Sequence, residues 1–455
     1  MITGIVCTDV SGGIGKDGDI PWSSKEDKTF FSHVTKSTLI YDRSLLIMGV
    51  KTWNCIPLLP DRDFVVITSG KSEVVKKINK DGEEINPETF TTIDEAIKKH
   101  NKRNIFIIGG KRIYEEGVKY CDVFYISRLK VDYHCDVKIE MDMSSFKMRE
   151  FEVNEELTVC EYVRNERIVC EEHVYLSLFE ELIKSNKRQT RNAVTRSLFG
   201  KHLTFDLSKG FPLLTTKEMY FKGIVEELLF MLRGETDTNK LSKKGIKIWE
   251  GNTSKEFLES RGLNYPEGDM GPMYGYQLRN YGKDYGMSTE SKGIDQLKDL
   301  LDKLKKSPND RRLIMTTLNI EQVEEGVLWP CHGLIIQFYV DDNKLSCSMY
   351  QRSADYFLGS PFNIASYAAL LHIICSTLRT AGVDYTPDKL HIFIGDLHIY
   401  EDHIVQCLAQ YFREPFAFPM LNVKNDHENI EDYTFDDFEL VNYNCYPKIY
   451  AKMIA

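Results

Sequence analysis

Leu328-Trp329-Pro330-Cys331-His332, followed by Tyr350-Gln351-Arg352-Ser353-Ala354-Asp355 and Ser360-Pro361-Phe362-Asn363, is the stretch on which the fold and chemistry of this chain turn. Leu334 to Val340 and Leu345 to Tyr350 read as strands on either side of the turn Asp341-Asp342-Asn343, which sets Cys331 at the head of a strand, beside a sheet. A cysteine alone reads as a small buried hydrophobe. As a nucleophile it needs its pKa lowered from the free value of about 8.5, and a guanidinium such as that of Arg352 favours the anion.

Outward from that stretch, Asn363 to Leu378 has the apolar content of a buried helix. Ile294, Leu297, Leu300, Leu301 and Leu304 follow a helical period that Ser307-Pro308 ends. The C-terminal part therefore mixes long helices with strands, an α+β pattern. Residues 1 to 165 instead alternate β-branched runs with helical patterns: Leu45-Leu46-Ile47-Met48, Phe64-Val65-Val66-Ile67, Ile105-Phe106-Ile107-Ile108 and Val123-Phe124-Tyr125-Ile126. That is the α/β pattern of a mostly parallel sheet with flanking helices. A short junction is expected at 166 to 171, and an amphipathic helix begins near Glu172, so the second domain runs from 172 to 455.

With 455 residues the chain exceeds what one core usually organises, and two domains are expected. No apolar run approaches the roughly 20 residues that span a bilayer. Met1-Ile2-Thr3-Gly4-Ile5-Val6 reads as a first strand rather than an export signal, so a cytoplasmic address is expected. Eleven cysteines, an odd number without a C-x-x-C pair, argue against a disulfide framework and against a metal site. His398-x4-His403 is not a metal spacing, and His403 reads as helix surface or core. The net charge of -10 and pI near 5.7 disfavour a nucleic-acid binder, although local Arg and Lys clusters suit small anions.

Near the N-terminus, Gly12-Gly13-Ile14-Gly15 leads to Ile20-Pro21-Trp22 and then to Asp27, Phe30 and Phe31 on one helix. Asp27 shares the apolar stripe of Phe30 and Phe31 at i+3 and i+4. A carboxylate on an apolar face needs a partner, and a protonated nitrogen heterocycle offers one through two parallel hydrogen bonds. Met48-Gly49-Val50-Lys51-Thr52 and Ile108-Gly109-Gly110-Lys111 each open a helix after a strand, leaving free N–H groups for a diphosphate.

On these residues the first 165 positions resemble dihydrofolate reductase. The resemblance implies NADPH lying across Gly49, Lys51, Thr52, Thr68, Ser69, Gly109, Gly110 and Tyr114, and adds Cys7, Ile14, Gly15, Trp22, Lys111, Arg112 and Ile113 to the cofactor-binding residues. It implies that Asp27 holds the pterin and assists its protonation, that Ser127 supports this carboxylate, that Phe31 packs on folate and that Arg62 grips the glutamate tail. It also implies a cis Gly109-Gly110 bond. Val50 departs from the pattern, which has a basic residue there for the 2'-phosphate; Lys51 and Lys71 are the available replacements.

From 172 onward the motifs fall in the order of another family. Phe211-Pro212-Leu213-Leu214-Thr215-Thr216-Lys217, Glu226-Glu227-Leu228-Leu229, Ile248-Trp249-Glu250-Gly251-Asn252, Gly271-Pro272-Met273-Tyr274-Gly275, Asp310-Arg311-Arg312, the Cys331 segment and Gly395-Asp396-Leu397-His398-Ile399-Tyr400 resemble thymidylate synthase. The whole chain thus resembles the bifunctional enzymes that join the two. The resemblance implies dUMP and 5,10-methylenetetrahydrofolate as substrates and a homodimer built through the C-terminal domain. Cys331 would attack uracil C6, which makes C5 an enolate-like nucleophile. Arg352 and Arg191, with Arg311 and Arg312 from the other subunit, would clamp the phosphate, helped by Ser353. Asn363 would read the pyrimidine, His398 and Tyr400 the ribose hydroxyl, and Glu227 with Tyr274 would move protons. His332 and Gln351 flank the nucleotide; Trp249, Asn252, Asp355, Gly359 and Phe362 line the folate side.

Three departures from that family stand out. The loop Gln189 to Arg196 is one residue short and lacks a Gly-rich phosphate loop, which makes Arg188 a rival to Arg191. Between Cys331 and Gln337 there is one residue more, for which a bulge beside the nucleophile is the expected outcome. The terminal Ala455 stands where a larger apolar residue usually closes over the ligands. Two other functions use such a chain: a pyrimidine hydroxymethylase of the same fold, against which Asn363 argues, and an RNA-binding or scaffold dimer, against which the acidic balance and the retained Cys331, Arg352, Asn363 and Asp27 argue.

Overall fold

The structure, a computed structural model, describes residues 1–36, 43–164, 170–191, 193–286 and 293–454. Of the expected junction, 166 to 169 lie outside the described residues, as does Ala455.

The N-terminal unit is built on an eight-stranded sheet. Its strands are β1 (Ile2–Thr8), β2 (Ser44–Gly49), β3 (Arg62–Ile67), β4 (Glu88–Phe90), β5 (Ile105–Ile107), β6 (Val123–Leu129), β7 (Lys147–Glu152) and β8 (Leu157–Val163), in the order β7-β8-β6-β1-β5-β2-β3-β4. All pairs from β6 to β4 are parallel; β8 and β7 add an antiparallel edge. The mostly parallel sheet expected from the β-branched runs is therefore present, and Leu46, Ile47 and Met48 have no exposed surface because helices cover both faces. Helix α1 (Lys25–Thr35) starts at Ser24, whose hydroxyl accepts the Asp27 amide at 3.2 Å, and buries Phe30. Helices α2 (Val50–Cys55), α3 (Ile93–Lys99) and α4 (Lys111–Gly117) are the crossovers; α2 and α4 follow the two glycine turns.

The C-terminal unit opens with α5 (His173–Lys184) and holds a six-stranded sheet. Strands β9 (Lys187–Gln189), β10 (Val194–Asp206), β11 (Ile314–Met315), β12 (Ile335–Asp341), β13 (Lys344–Asp355) and β14 (Thr386–Tyr400) are ordered β9-β10-β14-β13-β12-β11. The strict burial alternation of β12, with Ile336, Phe338 and Val340 inside, gives one core face. Helices α6 (Phe221–Leu232), α7 (Gln296–Lys306), α8 (Ser360–Thr380) and α9 (Ile404–Tyr411) complete the core.

Two expectations are corrected. Helix α8 is, by length and composition, long and apolar enough to cross a membrane, although no such run was read from the sequence; 78% of its most apolar window is buried inside the domain, because it is the central core helix. The bulge expected between Cys331 and Gln337 is not there. β12 pairs with β13 without a register shift, and the chain after Cys331 instead bends at Gly333, φ +68°, where a Cβ would meet the Tyr367 hydroxyl at 2.4 Å. The irregularity in this sheet lies between Leu345 and Cys347, where β13 meets β14. His403 is a core residue, its Nε2 2.9 Å from the Lys452 carbonyl.

Candidate active sites

In the N-terminal unit the carboxyl of Asp27 faces the sheet where Cys7 of β1 and Ser127 of β6 sit side by side as register partners. Burial holds Asp27 above the ordinary carboxylate range, while Ser127, Cys7 and Lys28 pull the other way. Ser127 Oγ is buried without a partner within hydrogen-bonding distance, and faces Asp27 closely enough to favour its anion. The Cys7 thiol is pushed far up by burial and by Asp27, so it stays protonated. Phe31 is half-buried one turn along α1 from Asp27. Arg62 is buried; its two Nη atoms donate to the carbonyls of Pro60 and Ser32, each at 2.7 Å, which ties it to the end of α1.

The two glycine turns meet each other. Gly49 N–H donates to the Gly109 carbonyl at 2.8 Å, and the Gly109-Gly110 bond is cis, as expected. A Cβ on Gly110 would lie 3.3 Å from Thr52 Oγ1, one on Gly109 3.2 Å from the Tyr114 hydroxyl, and one on Gly49 3.3 Å from Ile113. A side chain at any of the three positions in this cradle would crowd its neighbour, and a close approach of bare backbone suits a diphosphate. Tyr114 props the cradle from below, its buried hydroxyl 3.0 and 2.6 Å from the carbonyls of Ile5 and Ile108. Thr68 Oγ1 accepts the Gly70 amide at 3.1 Å, and Lys51 and Ser69 are exposed beside it. Lys111 and Arg112 lie on the outer surface of α4 and pair with Glu115 and Glu116. Ile14 and Gly15 belong to a short strand, Gly13–Gly15, paired with Val137–Lys138, and Trp22 packs against Tyr133 at 5.3 Å. Asp9, which sequence reading passed over, organises this loop by accepting the amides of Ser11, Gly13 and Tyr133.

In the C-terminal unit Cys331 is held by two residues. Tyr274 places its hydroxyl 3.4 Å from Sγ and accepts the Cys331 amide at 3.1 Å; Arg352 donates its backbone N–H to the Cys331 carbonyl at 2.8 Å and its Nε to the Pro330 carbonyl at 3.3 Å. The expected depressed thiol is corrected: burial dominates and holds Cys331 above its ordinary value, although Tyr274 and Arg352 both lower it. Glu227, half-buried and pushed up to about 7 by desolvation, accepts the Trp249 indole N–H at 2.7 Å. His332 stacks on Tyr274 at 4.6 Å and its Nδ1 is 3.0 Å from the Tyr367 hydroxyl; burial drives its pKa down to about 4, so it is neutral.

Around this centre, Asp355 ends β13 and takes the Phe357 and Leu358 amides, starting the turn through Gly359 into α8, where Phe362 and Asn363 lie in the first turn. Gln351 is buried and donates to the Ser353 carbonyl at 3.1 Å. His398 lies beside Asp355 in the β13–β14 register, with Tyr400 5.5 Å from it. Asn252 caps the Trp249 turn at 3.1 Å. Arg188 lies 3.6 Å from Asp396, whose other oxygen is 3.2 Å from His398 Nδ1, so the rival arginine borders the site, while Arg191 is exposed in the loop that follows β9. Arg311 and Arg312 are exposed on the sheet's far edge. Sequence reading gave no role to Tyr367, Asp396 or the buried Lys217, which is brought down to about 8 and lies over the Phe357 ring at 3.9 Å. The i+2 spacing of Asp396 and His398 on one strand was the available signal for that pair.

A carboxylate held over a sheet beside two facing glycine turns, and a half-buried thiol faced by Tyr274 and Arg352, fit a two-site enzyme working on nitrogen heterocycles. The dihydrofolate reductase family model matches residues 1–165 and the thymidylate synthase family model residues 173–455. The chain is 36% identical to the bifunctional dihydrofolate reductase-thymidylate synthase of Paramecium tetraurelia, covering 99% of this chain and 98% of that one. It is 35% identical to the Zea mays enzyme of the same description (97% and 94%) and 33% to that of Leishmania major (99% and 94%). The chain belongs to the bifunctional dihydrofolate reductase-thymidylate synthase family. It is both an oxidoreductase and a methyltransferase of nucleotide biosynthesis, with folate chemistry in both sites.

Proposed function

We propose that the C-terminal unit methylates dUMP with 5,10-methylenetetrahydrofolate, that the N-terminal unit reduces the released dihydrofolate with NADPH, and that the working enzyme is a cytoplasmic homodimer. The observation that carries the synthase half is the meeting of Cys331, Tyr274 and Arg352, with Glu227 held against Trp249 close enough to act on the same thiol. Cys331 forms the Sγ–C6 bond with uracil, leaving C5 nucleophilic, and nucleotide phosphate near Arg352 completes the electrostatics of the pocket. Glu227, titrating near neutrality, relays protons. Asn363 matches the uracil edge with one donor and one acceptor.

In the reductase half, the glycine cradle would hold the diphosphate of NADPH, which supplies the hydride. Asp27 orients the pterin and raises its affinity for a proton, and burial, which holds its own carboxyl above the ordinary range, favours its taking part in that transfer.

The outward face of the six-stranded sheet supports the dimer. Ile314, Ile335, Tyr339, Tyr350, Phe393 and Phe199 are all exposed there, and register sets Tyr350 next to both Ile335 and Phe393. A continuous apolar sheet face of this kind marks an interface. A reducing compartment agrees with eleven free thiols.

The test follows dTMP formation and NADPH loss with dUMP, methylenetetrahydrofolate and NADPH. Cys331→Ser abolishes dTMP formation and leaves reduction of added dihydrofolate; Asp27→Asn does the reverse, and equal loss of both activities in either variant refutes two independent sites. Mixing Cys331→Ser subunits with Arg311→Ala/Arg312→Ala subunits restores dTMP formation if the arginines act across the dimer. No restoration on mixing refutes the shared site.

A further inference from the structure

Two consecutive aromatic side chains of the C-terminal unit meet the N-terminal one: Tyr411 packs on Phe151 of β7 at 5.5 Å and its hydroxyl accepts from Arg149 at 2.7 Å, and Phe412 reaches further in. Phe412, directly after α9, packs on Phe30 of α1 at 5.7 Å, Tyr125 of β6 at 4.7 Å and Phe151 of β7 at 5.4 Å. The Tyr125 hydroxyl donates to the Phe412 carbonyl at 3.2 Å. The next residue, Arg413, is 4% exposed; its Nη1 donates to the carbonyls of Thr216 and Pro447 at 2.6 and 2.9 Å, and its Nη2 reaches the His33 carbonyl of α1 at 3.2 Å. Phe30 stands three residues after Asp27, on the same face of α1, and Tyr125 two residues before Ser127, on the same face of β6. The helix that carries the reductase carboxylate and the strand that carries its hydroxyl neighbour meet directly through Phe30 and Tyr125 at 5.9 Å, and Phe412 of the synthase unit packs on both of these rings.

We propose that Phe412 and Arg413 are positioning residues for dihydrofolate reduction: docked synthase sets how deeply α1 seats Asp27 over Cys7 and Ser127. This rests on Asp27 being the reductase carboxylate. The groups facing Asp27 are Cys7 on β1, Ser127 on β6, Tyr114 on α4 and Lys28 on α1 itself. Its raised pKa comes from burial, so lifting α1 lets water in and brings the carboxyl back toward its ordinary range.

The experiment uses the full chain with Phe412→Ala, Phe412→Leu and Asp27→Asn. KM for dihydrofolate and the pH midpoint of kcat/KM are measured, with dTMP formation on the same preparations as the fold control. Phe412→Ala is expected to raise KM about tenfold, within the range seen for coupling mutations, and to move the midpoint to lower pH, with dTMP formation retained. Phe412→Leu, which keeps apolar volume, gives a smaller change of the same sign. Parental KM and midpoint in both Phe412 variants overturn the proposal; if Phe412→Ala also loses dTMP formation, Phe412→Leu alone decides by the same two quantities. Asp27→Asn separates the underlying assignment: a midpoint that persists there removes Asp27 from the reaction, whatever Phe412 does.

Discussion

The Tyr274 hydroxyl lies 3.4 Å from the Cys331 thiol and accepts that residue's own amide at 3.1 Å, so one phenol both fixes the nucleophile's backbone and faces its sulfur. Tyr274 does this from a backbone with φ +37°, a conformation that β-carbon residues adopt only when packing holds them there. Because burial holds the thiol up and Tyr274 and Arg352 bring it down, losing the phenol costs the thiolate a hydrogen bond. Tyr274→Phe is expected to slow dTMP formation by about 10- to 100-fold, the equivalent of one hydrogen bond to a charged group. Alkylation of Cys331 in the ligand-free enzyme should have its pH midpoint above that of free cysteine and higher still in Tyr274→Phe. An unchanged midpoint would sever the phenol from the sulfur.

Glu227, at about 7, changes charge in the neutral range: it is protonated below that pH and ionised above it. The Trp249 N–H stabilises the ion, so Trp249→Phe moves the transition to higher pH, and Glu227→Gln removes it. Glu227→Gln is expected to reduce dTMP formation by about 10²- to 10⁴-fold, the usual size of a general acid–base contribution. The pH dependence of kcat/KM for dUMP checks both; a Trp249→Phe profile displaced to lower pH would reverse the assignment.

The local features were legible in the sequence. Asp27 with Phe30 and Phe31, both glycine turns, the strand after Cys331 and the helix around Leu300 all follow from periods of two or 3.6 residues and from residues with special backbone needs. What was not legible depends on distant pieces of chain. Tyr274 meets Cys331 across 57 residues, and Phe412 reads in sequence as one more aromatic at a helix end, although it lands in the other unit. The sign of the Cys331 shift was missed for a similar reason: Arg352 is visible in sequence, but the burial that outweighs it belongs to the assembled fold.

Glu172 ties the start of the second unit to the Thr215-Thr216 turn, where its fully buried carboxylate accepts both backbone amides and both hydroxyls. Thr216 in turn gives its carbonyl to Arg413. Glu172→Ala would orphan these buried donors, and a stability loss of about 4 kcal/mol is expected at about 1–3 kcal/mol for each unsatisfied group, partly relieved by relaxation. Denaturant unfolding measures it. A loss below about 1 kcal/mol, the net worth of a single ordinary hydrogen bond, would mean that the turn holds without its carboxylate.

His372 on α8 lines a cavity of about 410 Å³ together with Arg379 and Lys424, and its Nε2 is buried without a partner. Burial brings its pKa from 6.5 down to about 4. In the unfolded chain the imidazole takes up its proton near 6.5, so between that pH and about 4 the unfolded state binds more protons than the folded one. His372 therefore contributes a loss of stability as pH falls through this window and none above it. His372→Leu removes that contribution, while the raised carboxyls of Glu227 and Asp27, which act in the opposite sense, remain in both proteins. Thermal unfolding at pH 7, 6 and 5 should show a smaller fall in Tm for His372→Leu than for the parent. Parallel falls in the two proteins would mean that the folded protein lets this imidazole charge as freely as water does.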